Sequence, residues 1–71
     1  MQQVAITSEY IKLDSFLKLA GVAGSGGQSK GLILDGGVLV DGEVCVMRGK
    51  KLRPGARVQV MGNLYEVVGA E

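Results

Sequence analysis

The 71-residue sequence contains no histidine, no tryptophan and a single cysteine, Cys45. Without histidine there is no imidazole for a nucleophile relay, and one thiol can form neither a disulfide within the chain nor a zinc-binding cluster. The carboxylates are scattered along the sequence and have no histidine partner. We therefore expect no catalytic residue, no metal site and no cofactor, and we interpret Cys45 as a packed or partly exposed residue within a strand.

Long apolar runs and aromatic side chains are also scarce. No run approaches the roughly 20 residues of a membrane helix, and Met1 is not followed by the basic and apolar regions of a signal peptide. Together with the single thiol, these absences predict a cytoplasmic protein without a membrane partner. The aromatic residues are only Tyr10, Phe16 and Tyr65, which are too few for a platform that stacks single-stranded bases.

Glycine and unevenly distributed charge are what the sequence does contain. Twelve glycines and a hydrophobic fraction of 46% indicate one small globular domain, residues 1–71, with many tight turns. Residues 44–65 contain five basic residues and no acidic one, whereas residues 1–43 and residues 66–71 each have a net charge of −2. The basic segment either attracts phosphates or is a solvated hairpin whose charges serve solubility.

The spacing of apolar residues predicts two helices in the first half of the chain. The first, near residues 13–20, belongs to a helical pattern that starts at Ile11 and ends at Gly21, where glycine is suited to a left-handed cap. The second, near residues 27–35, begins after Ser25, which opens a capping box with a glutamine three residues later.

Beyond Gly37 the apolar period changes to two, which predicts a small, mostly antiparallel sheet. Asp41-Gly42 links two alternating runs and predicts a two-residue hairpin turn, because both positions require positive φ. We expect residues 48–53 to be a basic connection. The predicted fold class is α+β, with a two-helix motif packed on the sheet. Strands are expected at residues 3–7 (an edge strand), 38–40, 43–46, 57–60 and 65–68, with turns at residues 54–55 and 62–63.

The glycine-rich run at residues 24–31 invites comparison with nucleotide-binding loops, but its spacing differs from theirs. Lys30 follows Ser29 rather than a glycine, and a helix rather than a strand leads into the run. We therefore expect the run to cap the second helix. Whether its free backbone N–H groups also bind a phosphate is left open by the sequence.

Four motifs in a fixed order resemble the S-four RNA-binding domain, which is named for ribosomal small-subunit protein four. They are Lys12-Leu13-Asp14, Phe16-Leu17-Lys18-Leu19-Ala20-Gly21, Ser25-Gly26-Gly27-Gln28-Ser29-Lys30 and Val38-Leu39-Val40-Asp41-Gly42-Glu43. The basic stretch at residues 48–55 resembles the loop that follows the family's hairpin. The resemblance covers about residues 10–60 and is strongest to the small stand-alone bacterial members of the YbcJ/YaaA type.

This resemblance implies an alpha-L RNA-binding motif and a non-catalytic protein that binds structured RNA, either ribosomal or transfer RNA, with the ribosome as a further partner. We expect it to act as a monomer. In relatives, the two helix starts and the hairpin line a basic surface for the RNA backbone, and an arginine commonly stands where this chain has Gly26. Carried over by position, the RNA-binding residues are Lys12, Ser25, Gly26, Gly27, Gln28, Lys30, Asp41, Gly42, Arg48, Lys50 and Lys51.

Two other function classes remain open beside plain RNA binding. One is a ribosome-associated assembly or quality-control factor that acts through a protein partner. The other is a protein-interaction module whose basic loop meets an acidic partner.

Overall fold

The computed structural model describes residues 1–70, within which the chain forms two helices and seven strands. Glu71, the last residue of the expected domain, lies outside the described residues. Within the described part, no helix is long and apolar enough to cross a membrane. The elements in chain order are β1 (Gln2–Ile6), β2 (Ile11–Lys12), α1 (Leu13–Leu19), α2 (Gly26–Leu34), β3 (Val38–Val40), β4 (Glu43–Val44), β5 (Lys51–Leu52), β6 (Arg57–Val60) and β7 (Asn63–Gly69).

Five of the strands form one sheet in the order β1-β7-β6-β3-β4. Only β1 pairs in parallel, with β7, and the other neighbours are antiparallel. This arrangement confirms the predicted α+β fold with a mostly antiparallel sheet. It also confirms that the first strand lies at an edge of the sheet.

The core lies between the two helices and one face of the sheet. Phe16 and Leu17 of α1 and Ile33 of α2 are fully buried in one hydrophobic cluster with strand residues such as Val58. The Phe16 ring meets the ring of Tyr65 edge to face, with the centroids 6.2 Å apart, which is a favourable arrangement for two aromatic quadrupoles. The helical apolar spacing in α1 therefore exists because that face is buried.

Both helix ends follow the local chemistry of the sequence. Gly21, with φ +78°, gives α1 the left-handed cap that was expected. At the start of α2, the Ser25 hydroxyl accepts a hydrogen bond from the Gln28 N–H at 3.2 Å. The Gln28 side chain reaches back one residue further than a standard capping box, and its Oε1 accepts from the Gly24 N–H at 2.6 Å.

The hairpin turn at Asp41-Gly42 forms as predicted. Asp41 has φ +51° and Gly42 has φ +88°, so both turn residues adopt the left-handed region that matches the twist of the flanking strands. The backbone N–H of Asp41 donates to the carbonyl of Arg57 at 2.8 Å, and its Oδ1 accepts from the Arg57 N–H at 3.0 Å. Asp41 thus ties the hairpin to the beginning of β6.

The second hairpin turn lies one residue earlier than predicted. Its two central residues are Met61 and Gly62, with φ +52° and +78°, and Asn63 is already the first residue of β7, opposite Val60. The prediction of Gly62-Asn63 was wrong because those residue types suit the turn better than methionine does. The position of the turn is decided instead by the sheet register, because this register places Val58 and Val60 in the core.

The expectation that residues 48–53 are only a basic connection was wrong. Within this segment β5 pairs antiparallel with β2, so that Leu52 lies opposite Ile11 and Lys51 lies opposite Lys12. Leu52 is only 1% exposed, and burying this side chain brings the segment against the core. Ile11 belongs to this second, two-stranded sheet and not to the helical pattern of α1.

β4 is shorter than the predicted strand and ends at Val44, so Cys45 lies just beyond it. The Cys45 N–H still donates to the Val38 carbonyl at 3.0 Å, and the side chain is partly buried against the core. The packed environment expected for Cys45 is therefore present, although the residue is not within a strand.

Candidate nucleic-acid interface

All eleven residues that the sequence suggested for RNA binding are exposed to solvent. The structure distributes them over three places, namely the start of α2, the surroundings of the start of α1, and the β3–β4 hairpin turn.

The first turn of α2 has backbone N–H groups that the helix cap does not use. The cap takes up the N–H groups of Gln28 and Ser29, which donate to the hydroxyl and the carbonyl of Ser25, so the N–H groups of Gly26 and Gly27 are the first-turn donors left over. A Cβ added at Gly26 would meet nothing within 4 Å. Since the N-terminal end of a helix attracts anions, this turn is suited to approach by a phosphate.

Ser29 connects the second helix to the first. Its side chain is fully buried, and its hydroxyl donates to the carbonyl of Asp14 at 3.2 Å. Lys30, the next residue, is exposed on the outside of α2. The bond between Ser29 and Asp14 fixes the orientation of α2, and hence of its first turn, relative to the start of α1.

The start of α1 is capped by the basic loop rather than by a side chain. The N-cap residue Lys12 makes no side-chain cap bond. Instead, the N–H of Leu13 donates to the carbonyl of Lys50 at 2.9 Å, and the N–H of Asp14 donates to the carbonyl of Arg48 at 3.1 Å. The loop therefore uses its backbone to satisfy helix donors, while its Arg48 and Lys50 side chains remain exposed.

A second set of cations lies on the two-stranded sheet beside this loop. Lys12 and Lys51 are directly opposite each other and both are exposed. Tyr10, one residue before β2, lies beneath Lys51 of β5 and Arg53, the residue that follows β5. Its ring centroid is 4.9 Å from Lys51 Nζ and 5.9 Å from Arg53 Cζ. Sequence reasoning selected neither Tyr10 nor Arg53, and both belong to this cluster.

The hairpin residues lie close to the basic segment. Asp41 shares a shallow depression of about 260 Å³ with Lys50, Lys51 and Arg53. The carboxylate of Asp41 accepts from the Arg57 N–H, so its demonstrated contact in the fold is to the protein backbone. Gly42 is exposed at the tip of the turn.

The structure thus brings together four of the five cationic candidates. Lys12, Arg48, Lys50 and Lys51 surround the start of α1. Lys30 and the cap residues of α2 form a separate group, linked to the first through Ser29 and Asp14. Among residues 1–70, no group of three or more side chains is placed to hold a metal ion.

Comparisons with known proteins agree with this architecture. A family model described as the S4 domain matches residues 4–68. The chain is 42% identical over 59 residues to the "probable ribosome maturation protein RlbA" of Bacillus subtilis (strain 168), and the match covers 83% of each chain. Its fold is similar to the solution structure of YbcJ from E. coli, whose alpha-L motif is described as involved in RNA binding. The TM-score is 0.73 at 33% identity, and the match covers 96% of this chain and 87% of the other.

Proposed function

Because the chain belongs to the S4 domain family, we propose that it is a non-catalytic protein that binds structured RNA by its sugar–phosphate backbone. The observation that carries this proposal is the group of four exposed cations around the start of α1. Two backbone hydrogen bonds hold Lys50 and Arg48 there, and strand pairing places Lys51 opposite Lys12. The description of the YbcJ motif as RNA-binding supports the same function.

The mechanism follows from electrostatics. Each lysine or arginine that neutralises a phosphate releases a condensed counterion, so the entropy of the released ions drives association. The open N–H groups of Gly26 and Gly27 supply directional hydrogen bonds at a second position on the RNA. Since side chains cannot enter the deep major groove of A-form RNA, such a surface recognises shape, junctions or loops.

Ribosomal RNA is the favoured target over transfer RNA. The Bacillus subtilis relative is named for ribosome maturation, and it matches 83% of this chain. We therefore propose a role in ribosome maturation in the cytoplasm, in which the chain delivers its RNA-binding surface as an assembly factor. We further propose that the chain binds RNA as a monomer.

The salt dependence of binding tests the proposal. Four phosphate contacts predict a slope of about −3 to −4 in a plot of log affinity against log salt concentration, at roughly −0.7 to −0.9 per contact. Changing Lys50 and Lys51 together to alanine is expected to flatten this slope by about 1.5 and to weaken binding to different structured RNAs by similar factors. The measurement is fluorescence anisotropy with a labelled helical-junction RNA at several salt concentrations.

Lys18→Ala is the control for loss of charge. Lys18 is exposed in the last turn of α1, at the opposite end of the helix from the basic loop. Lys18→Ala should therefore change the affinity for RNA much less than Lys50→Ala does, although both variants remove one positive charge. A parent slope near zero, or a Lys50/Lys51 double variant that binds like the parent, would refute RNA binding at this surface.

A further inference from the structure

We infer that Tyr10, Lys12, Lys51 and Arg53 form a binding site for neighbouring backbone phosphates of RNA, in which Tyr10 positions two of the cations. We call these four residues the strand-pair site. The inference rests on the proposed function and adds to it Tyr10 and Arg53, together with a specific arrangement of the cations.

The register of the two short strands creates the site. Ile11 lies opposite Leu52, and Leu52 is buried in the core, so the neighbouring residues on each strand face the other way. Lys12 and Lys51 are paired on that outer face. Tyr10 lies on the same face because its ring contacts Lys51, and Arg53 lies there because it contacts the same ring.

The pairing of two lysines is unfavourable for the isolated protein. Like charges directly opposite each other on antiparallel strands destabilise the pairing, and residues 44–65 contain no acid. Asp41 lines the same depression as Lys51, but its carboxylate accepts a hydrogen bond from the Arg57 N–H. Of the acids nearest in sequence to Lys12, Glu9 lines a different depression, and the Asp14 carboxylate accepts from the backbone N–H that follows it. A bound anion would neutralise this repulsion, and the repeated negative charge of an RNA backbone fits three adjacent cations.

Tyr10 organises these cations before RNA arrives. Its ring is partly buried, and its backbone carbonyl accepts from the Ser8 hydroxyl at 2.8 Å, which holds the residue in place. Lys51 and Arg53 both lie within 6 Å of the ring centroid, the range in which a cation is attracted to an aromatic ring. Because these contacts restrict two long side chains, less conformational entropy is lost when they bind a phosphate.

Substitutions at Tyr10 test the positioning role. Tyr10→Leu is expected to weaken binding of the labelled junction RNA about threefold to tenfold while the salt slope remains unchanged, because the number of cations is the same. Tyr10→Phe keeps the ring and should bind within about twofold of the parent. In this inference Arg53 adds a fifth phosphate contact to the four counted above, so Arg53→Ala should reduce the slope itself by roughly 0.7 to 0.9.

A stability measurement separates a binding role from a structural one. Lys12→Gln removes one of the two opposed charges, so it should raise Tm by about 1–5 °C at low salt and weaken RNA binding at the same time. Lys18→Gln is the matched control, because Lys18 is also an exposed lysine but lies outside the strand pair, and it should leave both quantities near those of the parent. A Lys12→Gln variant that loses stability, or that binds RNA like the parent, would overturn the inference.

Different experimental outcomes would overturn the strand-pair site and the proposed function. If the parent binds RNA with a steep salt slope but Tyr10→Leu and Arg53→Ala bind equally well, RNA binding stands and the strand-pair site is overturned. If a poly-glutamate peptide of equal charge binds as tightly as the RNA, and Tyr10→Leu weakens both equally, the site takes an acidic protein and its assignment to RNA is overturned. If the parent binds the RNA more tightly than the peptide, and Tyr10→Leu and Arg53→Ala lose that preference, the strand-pair site is supported.

Discussion

Gly26→Arg is expected to strengthen RNA binding, because it adds a cation at the start of α2, where we propose that a phosphate binds. Nothing in the structure requires glycine at this position. Gly26 is the first residue of α2 and is exposed, and a Cβ there would meet no atom within 4 Å. Its φ is not among the positive values found at five other glycines, so an arginine can adopt the same backbone. By the resemblance described above, the variant also introduces the arginine that relatives commonly have at this position.

The expected gain follows from one additional phosphate contact. At roughly −0.7 to −0.9 in slope per contact, affinity at 0.1 M salt should increase about fivefold to eightfold, and the overall slope should become steeper by the same 0.7 to 0.9. The stability of the protein should change little. The better helix propensity of arginine, up to about 1 kcal/mol over glycine, is opposed by the unfavourable position of a positive charge at a helix N-terminus, about 0.3–1 kcal/mol.

Gly31→Arg is the matched control for this experiment. Gly31 lies in the same helix and is exposed, and a Cβ added there would also meet nothing within 4 Å. The same substitution therefore adds the same charge five residues further along the helix, away from the cap. Anisotropy titrations at four or more salt concentrations, with unfolding followed by circular dichroism, compare the two variants. Equal strengthening by Gly31→Arg, or no steepening of the slope in Gly26→Arg, would refute a phosphate at the start of α2.

Three further predictions concern single side chains. Gly42→Val should lower the free energy of unfolding by about 1–3 kcal/mol in urea titrations, because φ is +88° there, whereas Gly49→Val, in open space without a positive φ, should cost much less. Ser29→Ala should cost about 1 kcal/mol by calorimetry, because the buried bond to the Asp14 carbonyl is lost, and an unchanged Tm would contradict this. Cys45→Ser should leave RNA affinity within about threefold, and a larger loss in a folded variant would assign the thiol a role.

The parts of the fold that depend on local chemistry were predictable from the sequence. Ser25 caps α2, and Asp41-Gly42 forms the hairpin turn, because each depends on residues within a few positions. The pairing of β2 with β5 was missed because it joins Lys12 to Lys51, which are distant in sequence and lie in strands of two residues. A period of two over so few residues cannot be separated from a helical spacing, which is why Ile11 was included in the helical pattern.

The candidate site shows the same division between local and distant information. The basic residues were identified from composition and resemblance, and the structure adds that Lys12, Lys50 and Lys51 are neighbours. Tyr10 and Arg53 were missed because their contact joins two segments that are distant in sequence, the residue before β2 and the residue after β5. A signal was present in the alternation Tyr-Ile-Lys and Lys-Leu-Arg, where one apolar residue stands between two polar or aromatic ones. Reading both triplets as paired strands would have placed all four side chains on one face.

The capping of α1 by the carbonyls of Lys50 and Arg48 has a consequence for motion. If the loop opened, the N–H groups of Leu13 and Asp14 would lose their partners, and the first turn of the helix would fray with it. The loop and the helix therefore open together as one unit, and hydrogen–deuterium exchange at these two amides should report on both. RNA that holds the loop closed should slow exchange at Leu13 and Asp14, although these N–H groups face the protein and not the ligand.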